Sequence, residues 1–178
     1  MRSRGWAAAA SAAVAVLATI FIWTLRPVDT LAFEVVTHIE GEPNSWTSTE
    51  AISTQALDAI MQNAGIVLES SVGRVMYARS CLFRGHAVPH LVVMTAHGPV
   101  TVLVLRHDNV DARETFHEDG MTGVITPAPH GSLAVLSRGN QNLDEVVQQM
   151  RRSIRFLPAV SPPRKTEPNT RGLRARFR

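Results

Sequence analysis

The chain has one cysteine, Cys81, so no intrachain disulfide can form and an apolar core must hold the fold. A domain of roughly 130 residues is large enough to supply one. Short motifs of phosphate, dinucleotide and zinc-protease chemistry are also missing: there is no P-loop, no G-x-G-x-x-G and no HExxH. Ser132 sits in His130-Gly131-Ser132, which lacks the G-x-S-x-G nucleophile elbow and reads as a turn entering a strand. No repeat of useful length occurs. Positive charge is scarce in the middle of the chain: from Pro27 to Met150, 6 Arg stand against 14 Asp and Glu, a net of −8. From Arg151 to Arg178 the balance reverses, with 9 Lys and Arg against Glu167 alone, a net of +8. The sequence pI near 10.0 therefore describes an acidic domain with a basic tail. Phosphate binding needs positive charge gathered on a presenting surface, so nucleic acid is not an expected partner.

One long apolar run is present. Gly5 to Leu25 is uncharged and bounded by Arg2, Arg4 and Arg26, and it is long enough to cross a bilayer core of about 30 Å. Trp6 and Trp23 lie near its ends, where indoles favour the headgroup layer. A cleaved signal peptide is the alternative, with Thr30-Leu31-Ala32 as a small-x-small site, but the run exceeds the roughly 7–15 apolar residues of a signal core. A retained transmembrane helix is expected. Arg2, Arg4 and the N-terminal amine against Arg26 place the short N-terminus in the cytoplasm and the domain outside it. The expected organisation is a cytoplasmic end and anchor over 1–26, a connector over 27–45, an extracytoplasmic domain over 46–157 and a disordered basic tail over 158–178. That tail has too few apolar residues to order itself and suits contact with anionic lipid headgroups or with the acidic face of its own domain.

Periodicity sets the fold class. The connector carries a short alternating stretch at Phe33, Val35 and Thr37, then the turn-forming Gly41-Glu42-Pro43-Asn44. Thr47 and Glu50 have capping-box spacing, and Ile52, Ala56, Leu57, Ile60 and Ala64 recur at helical period until Gly65. From Val72 the period becomes two. Strands are expected at Arg74–Ser80, Ala87–Thr95 and Val100–Arg106, with weaker ones at Glu114–His117, Met121–Thr126 and Ser132–Leu136. Both faces of Val100–Arg106 are apolar, which marks a central strand. Pro99 has no N–H, so a four-residue loop with Thr95 opposite Val100 is expected before it. Asn142 then caps a second helix in which Leu143, Val146, Val147, Met150 and Ile154 share a face. The order helix, strands, helix predicts an α+β domain built on an antiparallel sheet.

Cys81, His86 and His90 form the one constellation with ligand chemistry. If Arg84-Gly85 is a two-residue hairpin turn, Phe83 pairs with His86, Cys81 with Val88 and Arg79 with His90, all on one face. Cys81 is then diagonal to both histidines. A thiolate and two imidazoles suit zinc or copper, and three protein ligands leave a coordination position open. A turn one residue longer would separate them by face. The plainer alternative is a small buried cysteine, with His86 an ordinary turn residue and His90 a half-buried edge residue. A Cys81 nucleophile with a histidine base is weaker, because no orienting partner can be chosen.

The segment Cys81 to Val102, with Val88-Pro89-His90-Leu91-Val92-Val93 and Gly98-Pro99-Val100-Thr101-Val102, resembles a proteobacterial family of uncharacterised single-span inner-membrane proteins. The later spacing Phe116, Gly120-Met121, Gly123, Pro127 and Gly131-Ser132-Leu133-Ala134-Val135 is similar to it too. The resemblance implies the bacterial inner membrane, a periplasmic domain and a sensory or regulatory role of anti-sigma character rather than catalysis. Met1 to Arg4 are too few to form a sigma-binding region, so a separate chain supplies that part or this protein keeps only the extracytoplasmic half. The expected function is a membrane-anchored interaction or sensor module with a protein partner; no catalytic motif is strong enough to name a reaction. The alternative is a metal-binding or metal-dependent module using Cys81, His86 and His90.

Overall fold

The computed structural model describes residues 30–139 and 141–157. The apolar run, the anchor built on it and the basic tail lie outside them. Among the described residues no helix is long and apolar enough to cross a membrane.

Thr30 begins the first element. Its Oγ1 accepts from the Phe33 N–H at 3.1 Å and so satisfies one of the free donors at the start of helix α1, Leu31–Glu40. Residues expected in an alternating connector are thus helical. The stripe Ala32, Val35, Val36, Ile39 follows the i, i+3, i+4, i+7 rule and is buried, while Phe33 and Thr37 face outward. Burying a Val or Ile side chain fully gives about 1.5–3 kcal/mol before the entropy of ordering the helix is subtracted. A 3-10 turn at Pro43–Ser45 follows. Helix α2 spans Thr54–Asn63 and is capped by Ser53, whose Oγ accepts from Ala56 N–H. The Thr47/Glu50 capping box does not form, and Ile52 precedes the helix, with its N–H donating to Val75 O. Gly65, at φ 67°, terminates the turn as expected.

Strand β1 (Ile66–Leu68) pairs with β8 (Ile154–Phe156) in a small two-stranded sheet. The main sheet has six antiparallel strands: β2 (Arg74–Phe83), β3 (His86–Thr95), β4 (Gly98–Leu105), β5 (Glu114–Glu118), β6 (Met121–Ala128) and β7 (Gly131–Arg138). Their order, β2-β3-β4-β7-β6-β5, is two three-stranded meanders joined along β4 and β7. As its two apolar faces implied, β4 is central and buried from Val100 to Leu105. Helix α3, Asp144–Ser153, closes the domain, with Asn142 Oδ1 accepting from the Asp144 N–H. Ile154, expected on that helix, belongs to β8. The fold is α+β, with a helix before the strands and one after, as predicted, and α1 as a further helix.

Turn chemistry fixes the register. Arg84 and Gly85 have φ of 48° and 81°, and Asp119 and Gly120 have 47° and 76°. Positive φ at both central residues is the two-residue hairpin geometry whose twist matches the strands. The β3–β4 turn is shorter than expected. Thr95 faces Gly98 across Ala96-His97, and Pro99 faces Met94. The β4–β7 ladder begins only at Thr101, so no neighbouring strand requires an N–H from Pro99.

The alternation sorts side chains into two cores. One face packs Val75, Leu91, Val102 and Val135 under α2 and α3; the other packs Phe83, Leu103, Ile125 and Leu136 under α1. Gly131 marks the closest backbone approach. A Cβ there would lie 2.0 Å from Leu105 O, and its φ is 114°. Gly120 also has positive φ but open space around it. In denaturant melts Gly120→Ala should therefore cost about 1–2 kcal/mol from backbone strain. Gly131→Ala should cost at least ~2 kcal/mol more from overpacking. Equal losses would contradict the close approach.

Candidate metal centre

The Arg84-Gly85 turn gives the predicted pairs: Phe83 with His86, Cys81 with Val88 and Arg79 with His90. Cys81 and His90 are therefore diagonal neighbours on the face beneath α1. Cys81 Sγ lies 3.8 Å from His90 Nδ1. The histidine is fully buried and the cysteine only 6% exposed.

Helix α1 brings two further ligand groups over them. His38 lies in its last turn, and Glu42 follows two residues after its end. The Glu42 carboxylate is the hub of the cluster. Its Oε2 accepts from Tyr77 Oη at 3.1 Å and from Cys81 Sγ at 3.2 Å, and it lies 3.0 Å from His90 Nδ1. One potential ligand atom from each of His38, Glu42, Cys81 and His90 falls within 4.8 Å of the others. His38 Nε2 is buried and has no hydrogen-bond partner. Aromatic edges pack the wall, with the Tyr77 and His90 centroids 5.1 Å apart and those of His38 and Phe83 5.6 Å apart.

The spacing suits a small ion. Bonds of about 2.0–2.1 Å to nitrogen or oxygen and about 2.3 Å to sulfur put tetrahedral neighbours about 3.2–3.6 Å apart. The distances among Glu42, Cys81 and His90, 3.0, 3.2 and 3.8 Å, bracket that range. The donor set of one thiol, two imidazoles and one carboxylate fits zinc, and its sulfur and nitrogens are also copper ligands.

His86, the third ligand expected from sequence, stands outside this group. It is exposed beside the turn, its ring stacked on His107 with centroids 3.8 Å apart. Sheet twist draws one diagonal of a strand pair together and opens the other. The described cluster offers four protein groups, where Cys81, His86 and His90 were expected to leave one position open. His38, Glu42 and Tyr77 were not singled out by sequence. The available signal was the Ala32, Val35, Val36, Ile39 stripe, which marks the helix that carries His38 and leads into Glu42.

Electrostatics follow from burial and from this carboxylate. Burial, then the Glu42 hydrogen bond and charge, push the Cys81 thiol up to about 12. Burial pulls the His90 imidazole below its ordinary value, against the opposing pull of Glu42. Burial raises Glu42, but donors from Cys81, His90 and Tyr77 more than offset it and hold the carboxyl below its usual range. In the ion-free protein Cys81 is thus a protonated thiol near neutral pH, which removes the thiolate a nucleophile requires. Ser132 carries no nucleophile chemistry either, since its buried Oγ donates to Asp108 O at 2.6 Å.

A family described as "Protein of unknown function (DUF3379)" matches residues 1–154, and the chain belongs to that family. No curated protein and no solved structure matches it.

The signs of the pH dependence are fixed by these directions. The folded thiol keeps a proton that the unfolded chain loses near 9.0, so its stabilisation is complete below that pH and is lost as pH rises toward about 12. The His90 contribution is present above the ordinary imidazole value of 6.5 and fades as pH falls below it. Thiolate absorbance of the ion-free folded protein should be absent at pH 9 and appear only well above it. Glu42→Gln should move that onset back toward 9, and an onset below 9 in the unaltered protein would contradict the assignment.

Proposed function

We propose that this member of the family is a metal-responsive sensor or interaction module, held at a membrane by residues 5–25, in which His38, Glu42, Cys81 and His90 bind one zinc ion. The observation that carries the reading is the convergence of four ligand groups from two separate parts of the chain. Charge bookkeeping supports zinc. The Cys81 thiolate and the Glu42 carboxylate neutralise a divalent cation, and binding displaces the thiol proton into solvent. Copper is the second candidate for the same donors.

Four protein donors close a tetrahedral shell and leave no place for a reactive water, which favours a structural or regulatory ion over a catalytic one. Tyr77 then supports the site from outside, holding the carboxylate by its hydroxyl. The regulatory part of the reading rests on the sequence: an uncharged apolar run directly ahead of the domain, with Arg2 and Arg4 favouring a cytoplasmic N-terminus and a periplasmic domain at a bacterial inner membrane. A protein partner of the domain and contact of the basic tail with anionic lipid complete it.

Metal content of the full chain, purified in detergent after zinc-replete expression, tests the centre. About one zinc per chain is expected. Cys81→Ser and His90→Ala should lose it on dialysis, whereas His86→Ala should retain it. Absence of zinc and copper from the unaltered protein would overturn the proposal.

A further inference from the structure

The four ligand groups are divided between two bodies that the fold holds together by different means. Cys81 and His90 belong to a six-stranded sheet with a complete core on its other face, under α2 and α3. His38 and Glu42 belong to α1 and the residues just after it, the segment that connects the apolar run to the rest of the domain. The sequence separation across the cluster is long, 39 residues from Glu42 to Cys81 and 48 to His90.

Apart from the cluster, α1 is held by a modest set of contacts. Its buried stripe is one alanine, two valines and one isoleucine. At the hairpin end Glu34, in the first turn of α1, accepts from both Nε and Nη2 of Arg84, which also bonds Asp108; this partly exposed network anchors the start of the helix rather than its His38 end. The far core contains none of these residues. Helix α1 can therefore open as a local unit while the sheet, α2 and α3 stay folded.

On the reading of the metal centre given above, we infer that ion occupancy is the latch that keeps α1 docked on the sheet. An ion bound by His38 and Glu42 on one side and by Cys81 and His90 on the other can be fully coordinated only when α1 is seated. Its binding free energy is then docking free energy for that helix. Without the ion, α1 is held by its apolar stripe, the Glu34–Arg84 pair and the Glu42 hydrogen bonds. Release of α1 uncovers Leu103, Leu105, Ile125 and Leu136, a change that the tethered segment would transmit toward its anchor.

Hydrogen exchange on the full chain in detergent, with one equivalent of zinc or with chelator, tests the latch while metal content is measured in parallel. Zinc should slow exchange of the Val35 to Ile39 amides about tenfold or more. The β3 and β4 amides from Leu91 to Val93 and from Val102 to Val104 should change little. His38→Ala, compared at saturating zinc, should lose part of the added protection of α1, because Glu42 alone then joins that segment to the ion. Zinc bound at one per chain with α1 exchange unchanged overturns the latch and leaves the metal centre standing. Equal slowing of α1 and the sheet also overturns it, since the ion would then stabilise the domain as one unit. Failure to bind zinc removes both proposals.

Discussion

Two left-handed residues, Arg84 and Gly85, set the constraint from which the candidate centre follows. Because they close the β2–β3 hairpin in two residues, Cys81 and His90 share a face and a diagonal. A hairpin longer by one residue would send one of them to the opposite side of the sheet. The same register puts Tyr77 on that face, so the hydroxyl, thiol and imidazole all point to the place where Glu42 arrives. A carboxylate buried to this extent requires donors, and the hairpin presents three of them in a row. The diagonal of Cys81 and His90, and the face they share with Tyr77, are consequences of that one turn.

The sheet separates maintenance of the fold from the proposed chemistry. Its α2 and α3 face is apolar and continuous, and the ladder β4–β7 at its centre is buried on both sides. Its α1 face is apolar toward β5 and β6 but carries the polar cluster toward β2 and β3. Polar groups in a core add little to stability unless every one of them is paired. The unpartnered His38 Nε2 in such a setting is what an ion would satisfy. Arg106 does comparable work at the opposite end with permanent partners, donating to Ala64 O at 2.6 Å and to Leu157 O at 3.2 Å, and so ties the end of α2 to the residue after β8.

Local chemistry made the strands legible. The Val-rich alternation, the Arg84-Gly85 and Asp119-Gly120 turns and the doubly apolar β4 each carry their structural reason within about ten residues of sequence. Helix α1 was obscured because Phe33, Val35 and Thr37 mimic a period of two while Ala32, Val35, Val36 and Ile39 keep the helical one. The capping box at Thr47 and Glu50 misled for a related reason: Ser53 offers the same side-chain acceptor closer to the apolar stripe. Strands β1 and β8 are three residues each, too short to display a period. Half of the site was legible, Cys81 and His90, because they are cross-strand neighbours. Glu42 was not, since its place depends on how a helix folds back across a sequence separation of 48 residues.

The central claim is that a thiolate, two imidazoles and a carboxylate surround a single ion beneath α1. X-ray absorption at the zinc edge of the zinc-loaded full chain tests it directly. The account predicts one sulfur at about 2.3 Å and three nitrogen or oxygen neighbours at about 2.0–2.1 Å, with imidazole scattering beyond them. A shell without sulfur, or one of six oxygens, would contradict it.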